Sequence, residues 1–123
     1  MDLGAFSISL PVSDIRASHA FYTALGFTHL GGDLDQNWVV LRNGTTVIGL
    51  FEGMIDQPTL TFNPGWDAEA HEVDPFTDVR EIQRQLQAAG IVVEVDVEEG
   101  TTGPGYLTLR DPDGFPLLID QHR

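Results

Sequence analysis

The chain contains no cysteine and no lysine. Without cysteine it can form no disulfide, no thiolate nucleophile and no sulfur-ligated zinc or iron–sulfur centre, which excludes several classes of enzyme. Its six basic residues are all arginine and face 19 acidic residues, so the formal net charge is −13. A protein that binds the phosphate backbone of a nucleic acid would act against this negative field, and we expect no nucleic-acid partner.

Long hydrophobic runs are also missing. The N-terminal stretch MDLGAFSISLPVSD has neither the basic start nor the apolar centre of a signal peptide, and no stretch approaches the roughly 20 apolar residues that span a bilayer. We therefore expect a cytoplasmic protein without a membrane partner. The 123 residues, of which 41% are hydrophobic, suffice for a single domain, residues 1–123, with its own core.

The acidic residues are concentrated in the second half. Residues 1–55 contain five acidic residues and two arginines, whereas residues 56–123 contain fourteen and four. Such a surface aids solubility. The alternative interpretation is a surface that attracts a cationic ligand.

Two segments of the chain repeat one helical pattern. VSDIRASHAFYTALGF and FTDVREIQRQLQAAGI each place a glycine twelve positions after an aspartate, at Asp14 and Gly26 and at Asp78 and Gly90. Aspartate favours the N-cap and glycine the position after a helix, so each segment predicts a helix of about eleven residues. Glu81, three residues after the second aspartate, fits a capping box.

Strand and turn patterns surround both helices. Two stretches predict a strand, a turn with glycine and an apolar strand: LRNGTTVIGLF (41–51) and LRDPDGFPLLID (109–120). In the second stretch we therefore interpret Asp-Pro-Asp-Gly (111–114) as a turn rather than a metal site. Short alternating stretches start at Ser7 and Thr59, and VVEVDVEEG (92–100) predicts a half-buried strand with an acidic outer side. Residues 63–75 predict a loop. The chain thus reads as two βαβββ modules, of about residues 1–55 and 56–123.

Tandem βαβββ modules with this helix pattern resemble the vicinal oxygen chelate superfamily, which includes glyoxalase I, extradiol dioxygenases, fosfomycin-resistance enzymes and bleomycin-resistance proteins. The residues that match the family's helix pattern are Asp14, Ser18, Phe21, Tyr22, Leu25, Gly26 and Phe27. The resemblance implies an α+β fold in which the curved mixed sheets of the two modules form a cleft that holds the functional site.

The resemblance also implies where a metal would bind. Enzymes of the family carry ligands on the first and last strand of each module, usually two histidines and two carboxylates, a set that suits a divalent ion with open positions for substrate oxygens. The corresponding positions here are Ser7, Gly49, Thr59 and Leu118. Glycine and leucine cannot replace carboxylates as ligands of a hard ion. We therefore predict no metal, no cofactor and no catalytic residue of the family type, which argues against an enzyme.

Aromatic rings and a few polar groups are what small-molecule pockets use, and they are the remaining candidates. The residues predicted to contact a ligand in the cleft are Ser7, Trp38, Gly49, Phe51, Glu52, Thr59, Phe62, Trp66, Tyr106 and Leu118. Phe6 lies on the same set of strands. The alternative is that most of these rings fill the core. Trp66, in a Pro-Gly loop, is less easily explained by packing, and Glu52 is a candidate charge for orienting a ligand.

The bleomycin-resistance branch of the superfamily is metal-free and acidic, and its dimers sequester a cationic aromatic drug. This likeness favours a metal-free homodimer that binds a neutral or cationic, partly aromatic small molecule, with attraction steered by the negative charge. The first alternative is a glyoxalase-like lyase or dioxygenase with its metal on other residues, such as Glu52, Asp120 and His122. The second is an interaction module whose cleft is vestigial.

Overall fold

The computed structural model describes residues 1–123, which form seven β-strands, two α-helices and one 3-10 helix, so the α+β class is confirmed. In chain order the elements are β1 (Ala5–Pro11), α1 (Ile15–Ala24), β2 (Thr28–Asp33), the 3-10 helix (Leu34–Gln36), β3 (Trp38–Asn43), β4 (Thr46–Phe51), β5 (Thr59–Asn63), α2 (Val79–Ala88), β6 (Gly105–Arg110) and β7 (Pro116–Gln121). They belong to two compact units, a first unit of Ser7–Thr59 and a second unit of Met1–Phe6 with Leu60–Arg123. Neither α-helix is long and apolar enough to cross a membrane.

The first unit packs α1 on one face of a sheet with the strand order β2, β3, β4, β1. β1 runs parallel to β4, and the other neighbours are antiparallel. Its buried core comes from α1, β3 and β4 and consists of Ile15, Val39, Leu41, Ile48 and Leu50. Because side chains alternate between the faces of a strand, the residues between these core positions lie on the face away from α1, the far face of the first unit.

The second unit has a similar arrangement with one strand fewer, α2 with the strand order β5, β7, β6. β5 is parallel to β7, and β6 is antiparallel to it. The buried core on the α2 side consists of Val79, Ile82, Val97, Leu107, Leu109 and Ile119. The alternate residues of β5, β6 and β7 form the far face of the second unit.

Both helices begin and end where the sequence predicts. The Asp14 carboxylate accepts a hydrogen bond from the N–H three residues later, and the Asp78 carboxylate accepts one from the N–H two residues later. Gly26 and Gly90 follow the helices with φ of +95° and +78°, a conformation that glycine adopts without a steric penalty. The predicted capping box is wrong in one respect, since the Glu81 carboxylate instead binds an arginine guanidinium one turn later.

The strand predicted at residues 92–100 is wrong. The structure contains a single β-bridge there, between Val95 and Thr108, and the predicted burial pattern breaks because Val97 is 6% exposed but Val95 is 44% exposed. The reason is the Gln83 side chain of α2, whose amide donates to the Val97 carbonyl at 3.0 Å and accepts from the Val97 N–H at 2.8 Å. A side chain therefore takes the hydrogen bonds that a neighbouring strand would have made.

The turn at residues 111–114 is confirmed. The Gly114 N–H donates to the Asp111 carbonyl at 2.9 Å, and Gly114 has a φ of +88°. The Asp111 carboxylate accepts hydrogen bonds from the N–H groups of Asp113 and Phe115, so it is used within the turn. Residues 64–75 form no helix or strand beyond one bridge between Trp66 and Glu72, as the loop prediction requires.

Candidate functional site

Four of the predicted ligand-contacting residues lie together on the far face of the first unit. This face consists of Ser7 and Ser9 on β1, Trp38, Val40 and Arg42 on β3, and Val47, Gly49 and Phe51 on β4. Gly49 lies at its centre, paired with Ser9 on one side and Val40 on the other. Trp38, Val40, Arg42 and Phe51 are each half-buried, so they keep exposed surface that a ligand can contact.

An aromatic pair occupies one end of this face. The rings of Trp38 and Phe51 are nearly parallel, with an interplanar angle of 7° and centroids 6.4 Å apart. The Phe51 ring also leans over Gly49, because a Cβ added at position 49 would lie 2.7 Å from Phe51 Cε2. The space beside position 49, where the resemblance implies a metal-binding side chain, is therefore filled by a ring.

Glu52 was predicted to orient a ligand, and the structure places its carboxylate elsewhere. Glu52 Oε1 accepts a hydrogen bond of 3.0 Å from the backbone N–H of Ile15, the first residue of α1. The first N–H groups of a helix have no partner within the helix and favour negative charge nearby. The carboxylate thus stabilises the start of α1.

The far face of the second unit contains Leu118 at the centre of the strand set. Leu118 pairs with Thr61 of β5 and Thr108 of β6, and the next far-face residue of β7, Asp120, pairs with Tyr106. Tyr106 is 51% exposed and so keeps a large free surface. This face combines an aliphatic centre with hydroxyl groups and one carboxylate.

Two further predicted residues are engaged locally. Thr59 begins β5, and its hydroxyl donates to the Gln57 carbonyl at 3.0 Å. Phe62 pairs with the core residue Ile119 and packs against the core on the α2 side, where its ring lies 5.2 Å from that of Phe6. Phe62 thus contributes to packing, the alternative role considered for the aromatic residues.

Trp66 forms a cluster with two residues at the end of β7. Its ring stacks on the His122 imidazole, with centroids 4.7 Å apart and an interplanar angle of 12°. His122 Nε2 lies 3.2 Å from Asp120 Oδ2, and this hydrogen bond raises the pKa of His122 although partial burial opposes the shift. Sequence analysis named Trp66 but missed its partner. The available signal was the spacing of Asp120 and His122, which are two residues apart at the end of an extended segment and hence lie on one side of it.

The residues at the four family positions do not fit a divalent metal. Ser7 and Thr59 offer only hydroxyl groups, Gly49 has no side chain and Leu118 has no donor atom. Hard divalent ions need several carboxylate, carbonyl or imidazole ligands. These four side chains therefore cannot hold such an ion by themselves.

A different group of potential ligands lies in the loop of the second unit. Ligand atoms of Asp67, Glu69 and His71 lie within 4.8 Å of one another. The Asp67 carboxylate accepts hydrogen bonds from the backbone N–H groups of Glu69 and His71, and the bond from His71 is the main cause of the lowered pKa of Asp67. The group is explained by the turn that this carboxylate closes.

Comparison with solved structures shows the same fold. A glyoxalase/bleomycin resistance protein/dioxygenase superfamily member from Vibrio splendidus 12B01 is similar with a TM-score of 0.64 and 16% identity, covering 94% of this chain and 97% of that one. An extradiol ring-cleaving dioxygenase from B. fuscum is similar with a TM-score of 0.62 and 23% identity, covering 98% of this chain and 33% of that one. A Mn(II)-bound glyoxalase from Novosphingobium aromaticivorans is similar with a TM-score of 0.60 and 17% identity, covering 94% of this chain and 37% of that one. At these identities the likeness concerns the fold.

No curated protein matches the sequence. A family model does match, that of the Glyoxalase/Bleomycin resistance protein/Dioxygenase superfamily, over residues 4–119. This match spans nearly the whole chain and agrees with the two similar units of the fold. The chain belongs to the glyoxalase/bleomycin resistance protein/dioxygenase superfamily, the vicinal oxygen chelate superfamily that its sequence resembles.

Proposed function

We propose that this chain is a metal-free small-molecule binding protein of the glyoxalase/bleomycin-resistance type, with a partly aromatic ligand. One observation carries the proposal: Phe51 covers Gly49, a position where family enzymes place a metal ligand, and stacks with Trp38. An aromatic pair on a half-exposed face supports binding by stacking and burial rather than by chelation.

The charge of the protein bears on the ligand that approaches it. A net charge of −13 attracts cations at long range and repels anions, so on this basis a neutral or cationic ligand is favoured. A cation placed over an aromatic ring gains roughly 0.5–2 kcal/mol, depending on how far it is desolvated. We propose that the working form is a cytoplasmic homodimer. Sedimentation equilibrium of the purified chain tests directly whether it forms a dimer.

The binding test uses tryptophan fluorescence. The chain has two tryptophans, and a Trp66→Phe variant leaves Trp38 as the single reporter. Bicyclic aromatic compounds should quench this fluorescence saturably without added metal, and Phe51→Leu should weaken binding several-fold because it removes the stacking ring. An unchanged affinity in Phe51→Leu would contradict the assignment of the site, and no saturable binding by any such compound would contradict the function.

The second candidate is a metal-dependent lyase or dioxygenase, and the structural likeness to a Mn(II)-bound glyoxalase favours it. Its proposed ligands, Glu52, Asp120 and His122, are already engaged, Glu52 at the start of α1 and the other two with each other. Metal content after dialysis against Mn²⁺, Fe²⁺, Co²⁺, Ni²⁺ and Zn²⁺ separates the candidates. We expect no tightly bound ion, whereas about one ion per chain with a chelator-sensitive activity would support the enzyme. If the chain is an interaction module instead, no small molecule should shift its melting temperature.

A further inference from the structure

Arg42 differs from every other arginine of the chain. Five of the six arginines pair with a carboxylate, as expected in a protein with 19 acidic residues; these pairs are Arg16–Asp35, Arg80–Asp78, Arg84–Glu81, Arg110–Glu94 and Arg123–Asp74. The Arg42 guanidinium makes no ion pair, no hydrogen bond and no ring contact, although the residue is half-buried. One strong, fork-shaped donor is therefore open to solvent and has no acceptor within the protein.

The position of Arg42 links it to the aromatic pair. Arg42 lies on β3 opposite Val47 of β4, on the same far face as Val40 and Trp38. Two residues along a strand span about 7 Å, so Arg42 lies about 7 Å from the level of Val40, and Trp38 lies about 7 Å from that level in the other direction. From one end of the face to the other lie the stacked rings of Trp38 and Phe51, then Val40 beside Gly49, and then the positively charged Arg42.

An acidic residue lies at the other end of the face. Asp33 of β2 pairs with Trp38. Trp38 is four residues from Arg42 along β3, so Asp33 lies about 13 Å from Arg42 in the direction of the strand. At this distance, and with Asp33 exposed to water, the two charges interact weakly. The positive charge of Arg42 therefore stays available to a ligand.

We propose that Arg42 binds a carboxylate of the ligand, while the aromatic ring of that ligand lies over Val40 and against Phe51. The inference rests on the metal-free aromatic site of the proposed function but replaces the charge preference argued there from the net charge: the ligand class is an aromatic monocarboxylic acid, which is anionic at neutral pH. A guanidinium can donate two parallel hydrogen bonds to a carboxylate, a geometry that no other side chain on this face offers. The negative net charge of the protein affects how a ligand approaches from a distance. Arg42 contacts the ligand once it is bound, so the charge of Arg42 determines which class of ligand this face prefers.

The test compares three probes that share one ring system, 2-naphthoate, 2-naphthamide and 2-naphthylmethylammonium, by isothermal titration calorimetry with the full chain. We expect the carboxylate to bind at least about tenfold tighter than the amide, because a hydrogen bond between two charged groups is stronger than one to a neutral amide. Arg42→Gln should remove this preference and leave the amide affinity within about twofold. Arg42→Lys should retain part of it, because lysine keeps the charge but loses the two-point geometry.

Arg16→Gln is the matched control, since Arg16 is exposed and paired with Asp35, and it should leave all three affinities unchanged. Circular dichroism and urea unfolding verify that each variant is folded. Equal binding of carboxylate and amide by the unmodified chain, tighter binding of the ammonium compound, or an equal loss of all three in Arg42→Gln overturns the inference alone. If none of the three probes binds, the proposed function is overturned together with it.

Discussion

Gly49→Ala tests whether the Phe51 ring covers position 49. Gly49 has an ordinary extended backbone, so alanine is compatible with its conformation, but the new Cβ would lie 2.7 Å from Phe51 Cε2 and 3.3 Å from Cζ. Carbon atoms in contact normally stay about 3.5–4.0 Å apart. The ring must therefore turn, which disturbs its stacking with Trp38.

The expected magnitude comes from two opposing terms. Overpacking of a fitted site costs about 1–3 kcal/mol, and replacement of glycine by alanine at a compatible position returns about 0.4–1 kcal/mol through the unfolded chain. Gly49→Ala should therefore lower the free energy of unfolding by about 0–2.5 kcal/mol. In a Phe51→Ala background the same replacement meets no ring and should be neutral or stabilising, so the two substitutions should show a coupling energy of about 1–3 kcal/mol.

Urea unfolding followed by circular dichroism at 25 °C, on the four proteins of this cycle, measures that coupling. Gly31→Ala is the matched control, because Gly31 also lies in a strand, has no positive φ, and its added Cβ would meet no atom within 4 Å. It should be neutral or slightly stabilising. A coupling energy within about 0.5 kcal/mol of zero, the usual limit of additivity, would refute the placement of the ring over position 49.

Three further predictions concern hydrogen bonds made by side chains. Glu52→Ala should destabilise the protein by about 0.5–2 kcal/mol in thermal unfolding, because the Ile15 N–H loses its acceptor, and Glu52→Gln should cost less because its amide oxygen still accepts. Gln121→Leu should cost about 1–3 kcal/mol in urea unfolding, because the 1% exposed Gln121 side chain satisfies the first N–H of α2. Since Asp120 raises the pKa of His122, the stabilisation from His122 should be present below its unfolded pKa of 6.5 and lost as pH rises through the folded pKa. The melting temperature of the unmodified chain relative to His122→Gln should therefore fall between pH 5 and pH 9, and the corresponding loss in free energy of unfolding should stay below about 1 kcal/mol for so exposed a pair.

Each of these predictions has an outcome that would contradict it. An equal loss of stability in Glu52→Ala and Glu52→Gln would show that charge or packing, rather than an acceptor at the helix start, accounts for the effect. An unchanged free energy of unfolding in Gln121→Leu would mean that α2 does not depend on this hydrogen bond. A difference in melting temperature that stays flat with pH would show that His122 gains nothing from its carboxylate partner.

Much of the fold was predictable because its signals are local. Asp14 and Asp78 bond to N–H groups within three residues of themselves, and the glycines that follow the helices need only their own backbone freedom. Strand alternation places Ser7 and Gly49 on one face. These features depend on neighbours along the chain, so one sequence contains them.

The strand predicted at residues 92–100 failed for the opposite reason. The alternation of valine and acidic residues there is genuine, but the side chain of Gln83, 14 residues from Val97, takes the backbone hydrogen bonds at that position. A pattern of burial says which side of a segment faces inward. It does not say whether the partner of its backbone is a strand or a side chain.

By itself, then, the sequence determined the α+β class, the ends of both helices and the turn at residues 111–114. Only the tertiary structure decided which groups meet: Glu52 binds an N–H 37 residues away, Trp66 stacks on His122, and Arg42 is left without a carboxylate. The physical reason is that local preferences act on a residue's own backbone and nearest neighbours, whereas the partner of a side chain depends on where folding brings distant parts of the chain.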